Sequence, residues 1–137
     1  MSNRAVVLDT NIIVSAGIQL AGPPAMIVEL ALDGELLLFA CPTVIEEYLE
    51  VLNRPRFKKH LFPPAWLPSL LACGTIRQDD PASWPFPGPD GDDLVFLALA
   101  KQERAVLVTG NFKHYPETIR DGVTVKSPRE YLDEWRG

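Results

Sequence analysis

Short apolar runs alternate along this chain with stretches of helical periodicity, and this alternation limits the fold more than any other feature. Residues 6–8, 36–40 and 105–108 are apolar throughout, as expected of strands that are buried on both faces of a sheet. Apolar residues recur at helical spacing over residues 25–32, and residues 94–100 are apolar all round, which is typical of a central helix. Strands that alternate with helices predict an α/β fold with a parallel sheet.

Composition narrows the class of protein. The chain has 137 residues, of which 47% are hydrophobic, so we expect one domain over residues 1–137 with a substantial core. Its net charge of −5 argues against a protein that holds nucleic acid by bulk positive charge. Cys41 and Cys73 are predicted to be free, buried thiols. With no N-terminal leader pattern and no long apolar run, we expect a cytoplasmic protein without a membrane span.

An acid stands at the end of the first predicted strand. Asp9 follows residues 6–8 directly, and the carboxyl ends of parallel strands are where ligand crevices form in α/β sheets. The same position, followed by Thr10 and Asn11, also suits a polar turn in which Asp9 caps the next helix. Both interpretations remain open from this stretch alone.

A cluster of glutamates lies on the helix predicted after residue 42. Thr43 and Glu46 have the spacing of a capping box, so the helix is expected to begin there. Helical periodicity places Glu47 at one margin of the buried face, Glu46 at the opposite margin and Glu50 in water. Spacing slightly favours Glu47 for a site, and a solvated acidic face is the alternative.

Acids also open the apolar helix at residues 94–100. Asp93 projects with the helix face that should turn inward, whereas Asp92 is the better candidate for the helix cap. Spacing by itself does not separate a capping role from a site role for this pair.

Two polar segments could border a site. Arg54, Arg56, Lys58 and Lys59 form the most basic short stretch and could contact RNA phosphates, or they could be an ordinary solvated loop. Residues 79–89 contain four prolines and are predicted to form a long loop without regular structure.

Carboxylates that converge from a strand end, a helix margin and a helix start would repel one another unless a cation entered. Asp9, Glu47 and Asp93 are such a set, and their oxygen ligands favour Mg²⁺ or Mn²⁺ over zinc. A hard divalent ion can activate water and stabilise the charge of an in-line displacement at phosphorus. The chemistry that this set favours is phosphodiester hydrolysis.

Four motifs, in order, resemble the PIN-domain nucleases. They are Val-Leu-Asp-Thr-Asn-Ile-Ile-Val-Ser at 7–15, Glu-Glu-Tyr-Leu-Glu-Val-Leu-Asn-Arg-Pro-Arg-Phe at 46–57, Asp-x-x-Phe-Leu-Ala-x-Ala from 93, and Leu-Val-Thr-Gly-Asn at 107–111. The resemblance is strongest to bacterial PIN proteins that act as toxins of toxin–antitoxin modules, the VapC-like proteins. It implies a three-layer sandwich whose central, mainly parallel, twisted sheet is flanked by helices.

The same resemblance implies a metal-dependent endoribonuclease that uses metal-activated water, with Asp9, Glu47 and Asp93 as its catalytic and metal-binding acids. An antitoxin protein and a homodimer or higher oligomer are further implications. The alternative is a catalytically weak PIN-like module that binds a protein or an RNA.

Polar residues around these acids complete the resemblance. Asn11, Ser15 and Thr109 resemble the residues that orient the acids in this family. Many relatives carry a fourth acid where this chain has Asn111, which can hold a water or orient Asp93 but brings no charge. A second metal ion is therefore less well supported than the first.

Overall fold

A computed structural model describes residues 3–136. Five strands form one sheet in the order β3-β2-β1-β4-β5, and every pairing between neighbouring strands is parallel. The predicted α/β sandwich, with a central parallel sheet flanked by helices, is confirmed. The strands are β1 (Ala5–Leu8), β2 (Leu37–Ala40), β3 (Thr75–Ile76), β4 (Val106–Val108) and β5 (Val125–Lys126).

Six α-helices are found within the described residues, together with short 3₁₀ turns. The helices are α1 (Thr10–Ile18), α2 (Pro23–Leu32), α3 (Pro42–Leu52), α4 (Leu67–Cys73), α5 (Leu94–Glu103) and α6 (Pro128–Arg136). The 3₁₀ turns are Pro55–His60, Gly91–Asp93, Phe112–His114 and Glu117–Ile119. None of these helices alone is long and apolar enough to cross a membrane, and α1 with α2, which pass that test only as a pair, are bent by 102°.

The strand order creates a switch point between β1 and β4. The chain runs from β1 through β2 to β3 on one side, and from β4 to β5 on the other. Val6 pairs with Val106 and Leu8 with Val108, so the carboxyl ends of β1 and β4 lie side by side. Ligand crevices in open α/β sheets form at such a point, and Asp9 and Thr109 are the residues that follow these two strands.

The apolar helix α5 packs at the centre of the protein. Residues 96–100 are all buried, and α5 packs against β1 and β4. The prediction of a central buried helix is confirmed. Because α5 lies against the two strands at the switch point, the turn that precedes it is held near their carboxyl ends.

Two predicted details are wrong. Residues 123–125 have the β-branched sequence typical of a last strand, but that strand begins at Val125, because the N–H of Val123 donates to the carbonyl of Arg120 and closes a turn. Both cysteines are free as predicted, but only Cys41 is buried, and Cys73 is exposed.

The predicted capping box of α3 is also absent. The helix begins at Pro42, and Asp80 in the proline-rich loop takes the place of Glu46. Asp80 Oδ1 accepts a hydrogen bond from the backbone N–H of Thr43 at 2.9 Å, and its other oxygen accepts from the Thr43 hydroxyl. These bonds hold the pKa of Asp80 below its usual value. The loop over residues 79–89 has no helix or strand, as predicted, and this contact ties it to α3.

We expect Asp80→Ala to lower the free energy of unfolding by about 1 kcal/mol, because it removes the acceptor for the first turn of α3. Asp79→Ala is the matched control, since Asp79 is an exposed acid at the adjacent position. Urea unfolding of both variants at pH 7 measures the difference. Equal stability of the two variants would show that the loop contact contributes nothing.

Candidate functional site

A cavity of about 780 Å³ opens at the switch point of the sheet. Asp9, Glu47 and Asp93 all line it, so the structure brings the three predicted acids to one place. The cavity is strongly acidic, with Arg54, Arg56 and His114 as its basic residues. Its seven carboxylates are those of Asp9, Glu46, Glu47, Glu50, Asp90, Asp92 and Asp93.

Asp9 directly follows β1 and caps α1. Its backbone is extended, and its Oδ1 accepts a hydrogen bond from the N–H of Thr10 at 2.7 Å. Its Oδ2 accepts three more, from the hydroxyls of Thr109 at 2.8 Å and Tyr115 at 2.9 Å and from the amide of Asn11 at 3.2 Å. The carboxylate is therefore held in one orientation, with more unused acceptor capacity on Oδ1 than on Oδ2.

Asn11 and Thr109 also contact each other. The Asn11 amide donates to the Thr109 hydroxyl at 3.3 Å, and its Oδ1 accepts from the N–H of Gly110 at 2.9 Å. The Thr109 oxygen accepts from the N–H of Asn111 at 3.0 Å. This network joins the turn after β1 to the turn after β4, and it surrounds Asp9.

Glu47 reaches the cavity because Tyr48 anchors α3. The Tyr48 side chain is fully buried, and its hydroxyl donates to the carbonyl of Leu8 at 2.6 Å. The preceding residue, Glu47, is half-buried and lines the cavity, whereas Glu46 is exposed at its edge.

Asp93 lies at the end of the 3₁₀ turn Gly91–Asp93, directly before α5, so the prediction that Asp92 caps this helix is wrong. Asp90, not Asp92, is the cap, since its side chain accepts from the N–H of Asp92 at 3.0 Å. Asp92 is exposed, and Asp93 is 7% exposed. The Oδ2 atom of Asp93 is paired with Nδ1 of His114, which lies directly beside it.

The carboxylates of the cavity are difficult to ionise together. Burial and the neighbouring Asp9 and Asp90 raise the pKa of Asp93 to about 6. Burial also raises the pKa of Asp9, against the lowering effect of its hydrogen bonds from Thr109 and Tyr115. The pKa of Glu47 is raised by partial burial and then by Glu50 and Asp92. A bound cation would relieve this repulsion.

The other predicted residues differ in whether they line the cavity. Arg54 and Arg56 are exposed and line the cavity, with Arg54 paired to Glu50 at 2.9 Å. Lys58 and Lys59 are exposed on the turn Pro55–His60 and lie outside the cavity lining. Ser15 is exposed on α1 and does not line the cavity, so no contact described here supports its predicted orienting role.

Sequence reasoning missed three residues of the site. Tyr115 is fully buried against Asp9, although it is 106 residues away in sequence. A lone histidine in a polar loop, such as His114, is predicted to be merely exposed, but His114 lines the cavity, and Asp90 lies beside it. The spacing of Asn111 and His114, one 3₁₀ turn apart just after a buried strand, was the available signal.

We expect Tyr115→Phe to destabilise the metal-free protein by about 1.5–3 kcal/mol while Asp9 is ionised, because a hydrogen bond to a charged group is lost. The loss should shrink as Asp9 is protonated at low pH. Tyr131→Phe is the matched control, since the Tyr131 hydroxyl donates to a neutral carbonyl, that of Asn3. Chemical unfolding over a range of pH tests this, and equal, pH-independent losses in the two variants would contradict it.

The comparisons with known proteins agree with this geometry. Residues 5–113 match the family model for the PIN domain. The uncharacterized protein MJ1680 of Methanocaldococcus jannaschii is 24% identical over 140 residues, which span 95% of this chain and 90% of that protein.

Two solved structures share the fold. A chain in the crystal structure of VapBC2 from Rickettsia felis, bound to a DNA fragment from their promoter, has a TM-score of 0.62 and 19% identity. A chain in the crystal structure of FitAcB from Neisseria gonorrhoeae has a TM-score of 0.54 and 17% identity. Each match covers 90% of this chain and 98% of the other.

The fold and the cavity define an α/β protein with an acidic site at the switch point of a parallel sheet, of a kind compatible with metal binding. The chain belongs to the PIN domain family, whose members are generally nucleases.

Proposed function

We propose that this protein is a metal-dependent endoribonuclease that hydrolyses RNA phosphodiester bonds with Mg²⁺ or Mn²⁺. The observation that carries the proposal is the convergence of Asp9, Glu47 and Asp93, from β1, α3 and the turn before α5, around one cavity. Their raised pKa values are those expected of carboxylates brought together to share a cation.

The donor set fits a hard divalent ion. Asp9 Oδ1 accepts a single hydrogen bond, from the N–H of Thr10, and Asp93 Oδ2 is paired with Nδ1 of His114, so each oxygen retains a lone pair for a cation. Glu47 is half-buried on the opposite helix and could complete the set. An ion held by these residues would supply an activated water and would neutralise charge at the phosphorus.

Residues of the chain would orient this set. The Oδ2 atom of the Asp9 carboxylate is fixed by hydrogen bonds from Thr109, Tyr115 and Asn11. Its other oxygen, Oδ1, therefore points away from these three residues. Asn111 lines the cavity but adds no charge, so the three acids carry the proposed chemistry. The Ser15 role predicted from the resemblance remains without a supporting contact.

The basic residues at the cavity suit the RNA backbone. Arg54 and Arg56 line the cavity from the side of α3 and the turn that follows it, and Lys58 and Lys59 extend the basic stretch beyond. We propose that these four side chains contact phosphates and offset the repulsion between RNA and the acidic cavity. Lys and Arg contacts to phosphates position a nucleic acid without reading its sequence.

The biological setting is also a proposal. Likeness to chains of VapBC2 and FitAcB supports a role as the toxin of a toxin–antitoxin module in the cytoplasm, with an antitoxin protein as its partner. A homodimer or higher oligomer is the assembly proposed with it. Expression of the chain alone should then slow growth, and Asp93→Asn should relieve that effect.

Cleavage of single-stranded RNA by the tag-free protein tests the proposed activity, with Mn²⁺, with Mg²⁺ and with EDTA. We expect cleavage that requires a divalent ion and is lost in Asp9→Asn. Equal cleavage by the native chain and Asp9→Asn would overturn the proposal, because the activity would come from another site or a contaminant. No cleavage by a folded native chain would favour a module that acts by binding a protein or an RNA.

A further inference from the structure

A second pocket, of about 380 Å³, adjoins the acidic cavity. It lies between residues 80–84 of the proline-rich loop and the first turns of α3 and α5, and we call it the loop pocket. Thr43, Gly91 and Val95 line both the loop pocket and the acidic cavity, so the two spaces are adjacent. Ligand pockets in proteins have volumes of about 300–1,000 Å³, and the loop pocket is near the lower end of that range. Its size therefore suits one small ring system.

One part of the loop pocket is apolar and open to a ligand. Leu94 and Val95 line it from the first turn of α5 and are half-buried, whereas residues 96–100 of the same helix are buried. Trp84 of the loop lines the pocket as well and is also half-buried. Proteins that bind single-stranded RNA commonly hold unstacked bases against aromatic and apolar side chains. A nucleobase therefore fits the chemistry of this surface.

The loop is held in place on three sides of this pocket. Asp80 caps α3, and the indole Nε1–H of Trp84 donates to the carbonyl of Ile119 at 2.8 Å. Gly88 packs so closely that a Cβ at this position would lie 2.9 Å from the Leu94 side chain. Because the loop is already fixed, a ligand would not have to order it, which lowers the free-energy cost of binding.

Asp80 gives the loop pocket a negative acceptor group. Each of its carboxylate oxygens accepts one hydrogen bond from Thr43 and keeps a further lone pair. The bonds from Thr43 lower the pKa of Asp80, so the exposed carboxylate is ionised at neutral pH. Guanine presents two neighbouring donors, N1–H and the N2 amino group, which match two carboxylate oxygens. Uracil presents one N–H between two carbonyl oxygens, which a carboxylate repels.

The loop pocket and the basic residues lie at opposite ends of α3. Thr43 is in the first turn of this helix, and Arg54 follows its last turn. Glu47 lines the acidic cavity between them. An RNA strand with one phosphate at Arg54 and the next at the acidic cavity would therefore bring a neighbouring base to the loop pocket.

We propose that the loop pocket binds one base of the single-stranded RNA substrate, next to the phosphate that is cleaved, and that Asp80 makes guanine the preferred base. This inference rests on the proposed ribonuclease function and adds a residue that determines specificity. Asp80 would contact the base and not the reacting atoms, so its effect is expected on RNA binding. It can therefore be measured without cleavage.

Binding of two pentaribonucleotides, UUGUU and UUUUU, to Asp9→Asn in the presence of Mg²⁺ tests this proposal. The Asp9→Asn substitution prevents the proposed cleavage during the titration. Proton–nitrogen NMR spectra follow the indole N–H of Trp84, one of three tryptophans, and Trp84→Phe assigns its signal. We expect UUGUU to shift this signal and to bind about fivefold or more tightly than UUUUU, the preference typical of a base held by two hydrogen bonds.

Asp80→Asn, added to Asp9→Asn, should abolish the preference for UUGUU. The asparagine oxygen can still accept from the N–H of Thr43, but its amide nitrogen donates and cannot pair with a guanine donor. Asp79→Asn is the matched control, because Asp79 is an exposed acid at the adjacent position and does not line the pocket. It should leave the preference unchanged.

Gly91→Leu tests the location of the bound base independently of Asp80. A Cβ at Gly91 would meet no atom within 4 Å, so the fold can accept a side chain there. Because Gly91 lines both spaces, the added side chain should obstruct the boundary between them and weaken binding of UUGUU more than that of UUUUU. Equal weakening of both RNAs would contradict a base bound at this place.

Equal affinity of Asp9→Asn for UUGUU and UUUUU would overturn the proposal, as would an undiminished preference in the folded Asp80→Asn variant. The same NMR spectra show whether each variant is folded. The nuclease proposal fails separately. Guanine-dependent binding by a chain that cleaves no RNA contradicts only the nuclease, and Asp9-dependent cleavage without any guanine preference in binding contradicts only the loop pocket.

Discussion

Asp93→Asn should lower metal-dependent cleavage of single-stranded RNA by about a thousandfold. A catalytic metal ion contributes several kcal/mol to transition-state stabilisation, and each 1.36 kcal/mol corresponds to about tenfold in rate. Asp93 is buried on the α5 side of the cavity, at 7% exposure, and its Oδ2 atom is paired with the His114 imidazole. Loss of its charge should therefore weaken both ion binding and turnover.

Two pairs of neighbouring acids show whether the loss of cleavage depends on one particular carboxylate. Asp92 precedes Asp93 and is exposed at the same cavity, so Asp92→Asn should cost several-fold at most. Glu46 and Glu47 form the second pair, and Glu47→Gln should be much the more damaging because Glu47 is half-buried and Glu46 exposed. Initial rates at saturating Mn²⁺ measure each variant. Similar losses within either pair would contradict the assignment of individual acids and indicate a general effect of negative charge.

The same substitution should have the opposite effect on the stability of the metal-free protein. The pKa of Asp93 is about 6 in the folded chain, against about 3.9 for an aspartate in an unfolded chain. Between these values the folded state holds a proton that the unfolded state has released, so the Asp93 contribution to stability falls as pH rises from 4 to 6. At 1.36 kcal/mol for each pKa unit, the fall is on the order of 2–3 kcal/mol.

The difference between the native chain and Asp93→Asn isolates this contribution. Asp80, Glu103 and Glu130 have lowered pKa values and change stability with pH in the opposite sense, but they are common to both proteins. Unfolding in urea with EDTA should show Asp93→Asn gaining relative stability between pH 4 and pH 6 and keeping the gain above pH 6. Asp133→Asn, at an exposed position on α6, is the control.

Divalent ions should reverse the order of stability of the native chain and Asp93→Asn. A ligand that binds only the folded state, present at a hundred times its dissociation constant, stabilises that state by about 2.7 kcal/mol. Mn²⁺ should therefore raise the unfolding free energy of the native chain well above that of Asp93→Asn at pH 7. A pH-independent difference without metal, combined with equal stabilisation of both proteins by Mn²⁺, would contradict a buried, ion-binding Asp93.

Local sequence was sufficient to predict a helix or strand whose formation depends on its own apolar pattern. Residues 6–8 of β1 and 96–100 of α5 are apolar and buried, and a buried segment must carry that pattern wherever it lies in the chain. The position of Asp9 at a strand end could be predicted for the same reason. Motif resemblance then separated Asp93 from Asp92 and Glu47 from Glu46, where periodicity alone left alternatives.

Contacts between distant segments could not be predicted in this way. The cap of α3 comes from Asp80, 37 residues beyond Thr43, although the local sequence offers a plausible capping box. The hydroxyl of Tyr115 reaches Asp9 across 106 residues. Periodicity does not indicate such a pair, because the sequence around each residue has the same local pattern whether or not the two residues are in contact.

The sequence by itself determined that this chain forms an α/β protein and that acids stand at the ends of its buried elements, since burial and helix capping act over a few residues. Only the tertiary structure decided which of these acids share a cavity. The order β3-β2-β1-β4-β5 places β1 beside β4, and this pairing brings Asp9, Thr109 and His114 to one edge of the sheet. Strand order depends on how whole faces pack, so the charge repulsion that makes this edge a candidate for a metal ion arises only in the folded chain.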